Sequence, residues 1–147
     1  MKQFARALAA VAFLSAIACA DGADPTAPEM EDPLSGAVVG APGGPVSSDI
    51  LTAQISGDGV ALQNKGTTPV FYMVAERGVL ALIMWAPCTS ASQCDPLGAN
   101  AQRQVGPDQI VGTAANAREL VVLHWRARDL GGGRTEPDSI RAIIVAR

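Results

Sequence analysis

ILTAQISGDGVALQN, residues 50–64, decides how the chain folds. Leu51, Ala53 and Ile55 fall on one face of an extended chain, and Thr52, Gln54 and Ser56 on the other. That alternation has the strand's period of two, not the helix's 3.6. Gly57-Asp58-Gly59 is a turn signal, and VALQN alternates again after it. Two such runs around a Gly/Asp turn read as a β-hairpin.

Towards the C terminus the same grammar continues. NKGTTP (64–69) is a second turn, and VFYMVAE (70–76) follows it, rich in β-branched and aromatic residues. VLALIMWA (79–86) is apolar on both faces, so periodicity alone leaves a central strand and a helix segment open. Its short length and the stop at Pro87 favour the strand. PCTSASQCDPLGANAQ (87–102) is a loop, and RQV (103–105) and DQIVGT (108–113) are short strand candidates. ELVVLHWRARD (119–129) is a clear strand: Val121, Leu123, Trp125 and Ala127 face one way, and His124, Arg126 and Arg128 the other. Asn116 and Glu119 stand at capping-box spacing, but the paired valines and the Trp/Arg alternation outweigh a helix there. LGGGRTEPDS (130–139) reads as a turn-rich connection, and IRAIIVAR (140–147) as the last strand.

Seven or eight short strands in residues 50–147 predict an all-β, antiparallel sandwich, with a small open barrel as the competing architecture. The pattern resembles the immunoglobulin-like and fibronectin type III-like domains of exported bacterial proteins. That resemblance implies that Trp85 or Trp125 fills the core position such domains give to tryptophan. The chain departs from the family in two respects. No cysteine pair has the spacing that crosses between sheets, and the only tyrosine, Tyr72, is not near the penultimate strand.

Towards the N terminus the chemistry changes. Residues 20–49 carry six acids and no Lys or Arg, while residues 50–147 hold nine bases and eight acids. The net charge of −3 therefore belongs to a segment, not to the domain, and neither part has the basic density of a nucleic-acid binder. Rich in Pro and Gly and poor in large apolar groups, residues 20–49 read as a disordered tether, although GAVVGA (36–41) could dock weakly on the domain. Before it, Lys2 and Arg6 precede an apolar run from Ala7 to Ala18, too short to span a bilayer and of signal-peptide length. The run closes on Ala16-Ile17-Ala18-Cys19. This resembles the lipobox of bacterial lipoproteins, with Ala16 where that family prefers Leu. The resemblance implies removal of residues 1–18 and diacylglyceryl attachment at Cys19. It further implies a tether over 19–49 and a domain over 50–147, exported to the cell envelope and held to the outer membrane by lipid. An ordinary signal peptide, cleaved at either small-x-small site, is the alternative.

Three cysteines are an odd number. Cys88 and Cys94 remain a natural pair whether Cys19 is acylated or removed, and export makes their disulfide chemically reasonable. The chain-entropy estimate for so short a loop is roughly 2 kcal/mol. C-x5-C is not a standard zinc spacing.

No catalytic set emerges from the spacing. His124 is the sole histidine, placed mid-strand, and nothing brings Glu76 and Asp129 together as paired carboxylates. GGGR (131–134) lacks the Lys-Ser/Thr of a phosphate loop. Met73, Met84 and His124 are conceivable copper ligands, but both methionines sit in apolar runs and read as core. No cofactor is expected. Two surface features remain: a basic strip of His124, Arg126, Arg128 and Arg141, suited to an acidic glycan or protein partner, and the loops 87–102 and 129–139, where recognition on a rigid scaffold usually resides. The expectation is a non-enzymatic binding or structural module. A proteinase inhibitor using the disulfide-braced loop is the alternative, and an exported enzyme is the least supported.

Overall fold

The structure, a computed structural model, describes residues 34–112 and 116–147. The expected signal peptide 1–18, Cys19 and the tether as far as residue 33 lie outside the described residues. So does Thr113, at the end of the DQIVGT run.

Eight strands form two four-stranded sheets. They are β1 (Val38–Val39), β2 (Val46–Ser47), β3 (Leu51–Ser56), β4 (Gly59–Asn64), β5 (Phe71–Glu76), β6 (Gln102–Val105), β7 (Glu119–Gly131) and β8 (Arg134–Ala146). One sheet has the order β2-β3-β4-β6, the other β1-β8-β7-β5. All pairings are antiparallel except β1 with β8. The β3–β4 hairpin forms as its sequence predicts: Ser56 pairs with Gly59, and Gly57 takes the positive φ (58°) that a two-residue turn asks of its first central position. The chain then changes sheets three times running, from β4 to β5, from β5 to β6 and from β6 to β7.

The core between the sheets follows the period-two pattern. Leu51, Ala53, Val60, Leu62 and Val105 from one sheet meet Val74, Leu120, Val122, Ile143 and Val145 from the other. Each large member contributes about 1.5–3 kcal/mol on burial. The two sheets remain separate, so the arrangement is a sandwich and not an open barrel.

The tether reading of residues 34–49 is corrected. Val38 and Val39 pair with Ile143 and Ile144, Val46 pairs with Ala53, and Val46 is itself core. Three valines and the edges of β8 and β3 outweigh the cost of ordering the neighbouring Gly and Pro residues.

The expected strand over 79–86 is also absent. The free edge of β5 is already occupied: Val70 exchanges backbone hydrogen bonds with Leu97 at 3.0 and 2.8 Å, and Val111 bridges Val74 and Glu76 at 3.0 and 2.9 Å. Excluded from that edge, the chain makes one helical turn, α1 (Arg77–Leu80), and then crosses the outer face of the β1-β8-β7-β5 sheet. There Leu80, Trp85, Cys88 and Cys94, with Leu34 and Ala37, cover Phe71, Val121, Leu123, Trp125, Ala142 and Ile144. The sheet is thus buried on both sides, which is why LVVLHW in β7 is buried at six consecutive positions. Trp125 fills this outer layer, stacked near Phe71 and Trp85, and not the space between the sheets as the resemblance implied. DQIVGT contributes a 3-10 turn (Pro107–Gln109) and the single bridge at Val111, not a strand.

Beyond Trp125 the ladder carries a bulge: His124 faces Arg141, but Arg126 faces Asp138. Past it, β7 and β8 run on as a ribbon with no third strand beside it among the described residues, turning at Gly132-Gly133, both at positive φ. The connection expected over 129–139 is therefore mostly paired strand.

Candidate functional site

The residues of the expected basic strip part company. His124 does not face solvent. It is 0% exposed, on the inter-sheet side of β7, and its Nε2 lies 3.0 Å from Ser48 Oγ. Ser48 Oγ also accepts from Leu51 N–H at 3.1 Å and lies 3.3 Å from the Leu51 carbonyl. The tautomer with the proton on Nε2 lets histidine donate to Ser48 and Ser48 donate to Leu51. It leaves His124 Nδ1, which is buried without a partner, as an orphan acceptor and not as a costlier orphan N–H. Burial holds the imidazole below its usual pKa, while the Val122 backbone and Asp49 pull the other way. A serine–histidine contact resembles half of a hydrolytic dyad. Here the hydroxyl is occupied in pinning the β2–β3 turn, and the small cavity of about 40 Å³ lined by the adjoining Asp49 and Trp125 includes neither residue.

Arg141 pairs with Asp49 at 2.6 Å, which holds that carboxyl below the usual range. Arg128 pairs across the ribbon with Glu136. Arg126 alone of the three arginines has no hydrogen bond or ion pair among the described residues, and its Nε is buried. Met73 packs in the outer layer, on the opposite face from His124, whereas Met84, expected in the core, is fully exposed. Among the described residues no group of three or more His, Cys, Asp or Glu is placed to hold a metal.

The two expected recognition loops do meet. Cys88 and Cys94 lie at disulfide distance, with Cα atoms 6.2 Å apart. Trp125 Nε1 donates to the Cys88 carbonyl at 2.7 Å, and Thr135 Oγ1 of the ribbon donates to Thr89 Oγ1 at 2.8 Å. Between them opens a cleft of about 570 Å³. Pro69, Phe71, Pro96 and Ala127 give it apolar walls, and Thr68, Ser90, Arg126 and Arg128 line it as well.

Just before the disulfide lies a surface that sequence reading placed in a strand. From Leu82 to Ala86 exposure alternates: Leu82 is 82% and Met84 103% exposed, while Ile83 and Trp85 are half-buried. Among the described residues no hydrogen bond reaches the backbone of residues 83–87. This segment, outside any strand, is clamped by Trp85 against Trp125 and by the disulfide, and it leaves two large apolar side chains exposed to solvent. The missed signal was the all-apolar run itself, longer than one buried face requires.

Sequence reading also missed Asn64. Its buried amide donates to the carbonyls of Thr68, Leu97 and Gly98 at 2.8, 3.1 and 2.9 Å, and its Oδ1 accepts from Gly66 N–H at 2.8 Å. It ties the two turns that carry the walls of the cleft. Comparison of the chain with known family models, curated proteins and solved structures finds no match.

Proposed function

We propose that this chain is a non-enzymatic recognition module of the bacterial envelope, an immunoglobulin-like domain held to the outer membrane through an acylated Cys19. The topology supports the domain type. Strands β3, β4 and β6 occupy the places of A, B and E in that fold, and β5, β7 and β8 those of C, F and G. On this reading the covering segment 77–101 stands where such domains carry their D strand. The envelope assignment rests on the lipobox-like Ala16-Ile17-Ala18-Cys19 that closes an apolar run of signal-peptide length.

The observation that carries the binding role is the Leu82–Met84 edge. A segment whose backbone is unpaired and whose large apolar side chains are exposed at alternate positions offers both the hydrogen-bonding groups and the side chains by which one protein can add a strand to another. Uncovered, the same feature is an aggregation hazard, so a partner is the economical explanation. Photo-crosslinking from position 84 in native envelope, followed by mass spectrometry, tests this. One recurrent protein partner is expected, lost with Leu82→Asp/Met84→Asp. Crosslinks spread over abundant proteins, unchanged by the double variant, overturn it.

The same edge favours a second reading, a proteinase inhibitor, because proteinases grip extended, pre-ordered segments. Inhibition across a proteinase panel is expected to be lost when Cys88 and Cys94 become Ser. That change also removes roughly 2 kcal/mol of stability by the chain-entropy estimate. No inhibition of any panel member leaves the first reading standing alone.

A further inference from the structure

We propose that the cleft between the disulfide loop and the β7–β8 ribbon binds a carboxylate, carried on a small and partly apolar body, with Arg126 as the group that grips it. This is independent of what covers the Leu82–Met84 edge.

Arg126 carries five N–H donors in a planar fork. Buried donors are almost always paired, and one that is not calls for an explanation. Arg126 Nε is buried with no partner, and no acceptor among the described residues meets the guanidinium. The neighbouring arginines are satisfied, Arg128 by Glu136 and Arg141 by Asp49. The one acid on the cleft rim, Asp138, stands directly across the ladder from Arg126, yet the two form no ion pair. The guanidinium turns instead towards the 64–68 turn: Arg126 Nη2 lies 2.8 Å from where a side chain at position 66 would begin, a space open because that residue is Gly66. Arg126 thus lines the cleft without pairing to the acid that stands across the ladder from it.

What complements such a fork is a carboxylate, taken through two parallel hydrogen bonds. The rest of the cleft describes the body attached to it. A volume of about 570 Å³ suits a small organic molecule. Pro69, Phe71, Pro96 and Ala127 offer apolar contact, and Thr68 and Ser90 bring hydroxyls to the same space. The disulfide and the Thr135–Thr89 hydrogen bond fix the two walls before any ligand arrives, which lowers the cost of binding. The carboxylate can belong to a free aromatic acid or to an acidic sugar, and the two make the same demand on Arg126.

The test is a titration of the purified, 15N-labelled full chain followed by NMR at the Arg126 Nε–H signal, identified by its absence in Arg126→Gln. The probes are benzoate, its neutral counterpart benzamide, and glucuronate. Saturable shifts of that signal and of the Thr89 and Ser90 amides are expected with at least one carboxylate, and benzamide should bind weaker by about tenfold or more. Whichever of benzoate and glucuronate binds more tightly identifies the source. Arg126→Gln should weaken binding to a similar extent, and Arg128→Gln should change it by no more than about twofold, as an exposed pair allows. Asp138→Asn should leave binding intact or strengthen it. The proposal is overturned if benzamide binds the wild-type chain as well as benzoate does, if neither carboxylate saturates the signal, or if Arg126→Gln, with an otherwise unchanged spectrum, binds equally well.

Discussion

At the scale of single residues, two buried polar side chains hold this domain's loops in place, and each gives a measurable expectation. Asn64 satisfies three carbonyls and one N–H. Asn64→Ala should cost about 3 kcal/mol in chemical denaturation, because the Thr68 carbonyl and the Gly66 N–H lose their partner at once while the Leu97 and Gly98 carbonyls keep only their backbone donors. Asn64→Asp should cost more near neutral pH, since it turns an anion towards those carbonyls. His124 is held neutral by burial. Above about pH 6.5 the folded and unfolded chains are both neutral at this position, and stability is at its full value. Below it the unfolded chain takes up a proton that the folded chain refuses, so stability falls towards the lowered folded pKa, by at most about 1.4 kcal/mol per pH unit. The Asp49 carboxyl, lowered by Arg141, adds its own loss only when pH drops through the carboxylate range, below about 4. Denaturation midpoints measured from pH 8 to 4.5 should therefore decline in wild type and stay flatter in His124→Met. A flat wild-type profile would contradict the buried, neutral imidazole.

At the scale of elements, legibility follows how local each signal is. The β3–β4 hairpin was readable because turn and alternation lie within fifteen residues. The disulfide pair and the strand character of β5, β7 and β8 were readable for similar reasons. The facing of β7 was not. Alternation assigns a side chain to one of two faces, but it cannot say that a second layer, built from residues 80–94, covers the outer one. Once both faces are buried, a polar residue such as His124 no longer marks the outside. The 79–86 run failed for a non-local reason too: the edge it needed was occupied by Leu97 and Val111. As for the site, the two loops and the arginines were visible as residue types. Which arginine lacks a partner depends on Glu136, Asp49 and Gly66, all set by register. Residues 34–49 supply a direct test at this scale. A chain starting at Leu34 should fold cooperatively, while one starting at Ile50 loses Val46, the Ser48–His124 contact and the Asp49–Arg141 pair. The shorter chain should show a markedly lower midpoint or no cooperative transition, and equal midpoints would remove β1 and β2 from the stable unit.

At the scale of the whole molecule, the sandwich is a scaffold with one dressed face. The β2-β3-β4-β6 sheet turns a plain polar surface outward, with Thr52, Gln54, Gln63, Gln102 and Gln104 around a shallow depression. The other sheet carries the covering segment, the disulfide, the Leu82–Met84 edge and the Arg126 cleft. The pairing of β1 with β8 has a further consequence for where that dressed face operates. Strand pairing starts at Val38, so residues 20–37 separate it from the proposed acylated Cys19, and a chain of that length spans at most about 65 Å. If Cys19 is acylated as proposed, that length sets the farthest height above the lipid at which a counterpart could be met, which favours neighbours lodged in the same membrane or lying against it.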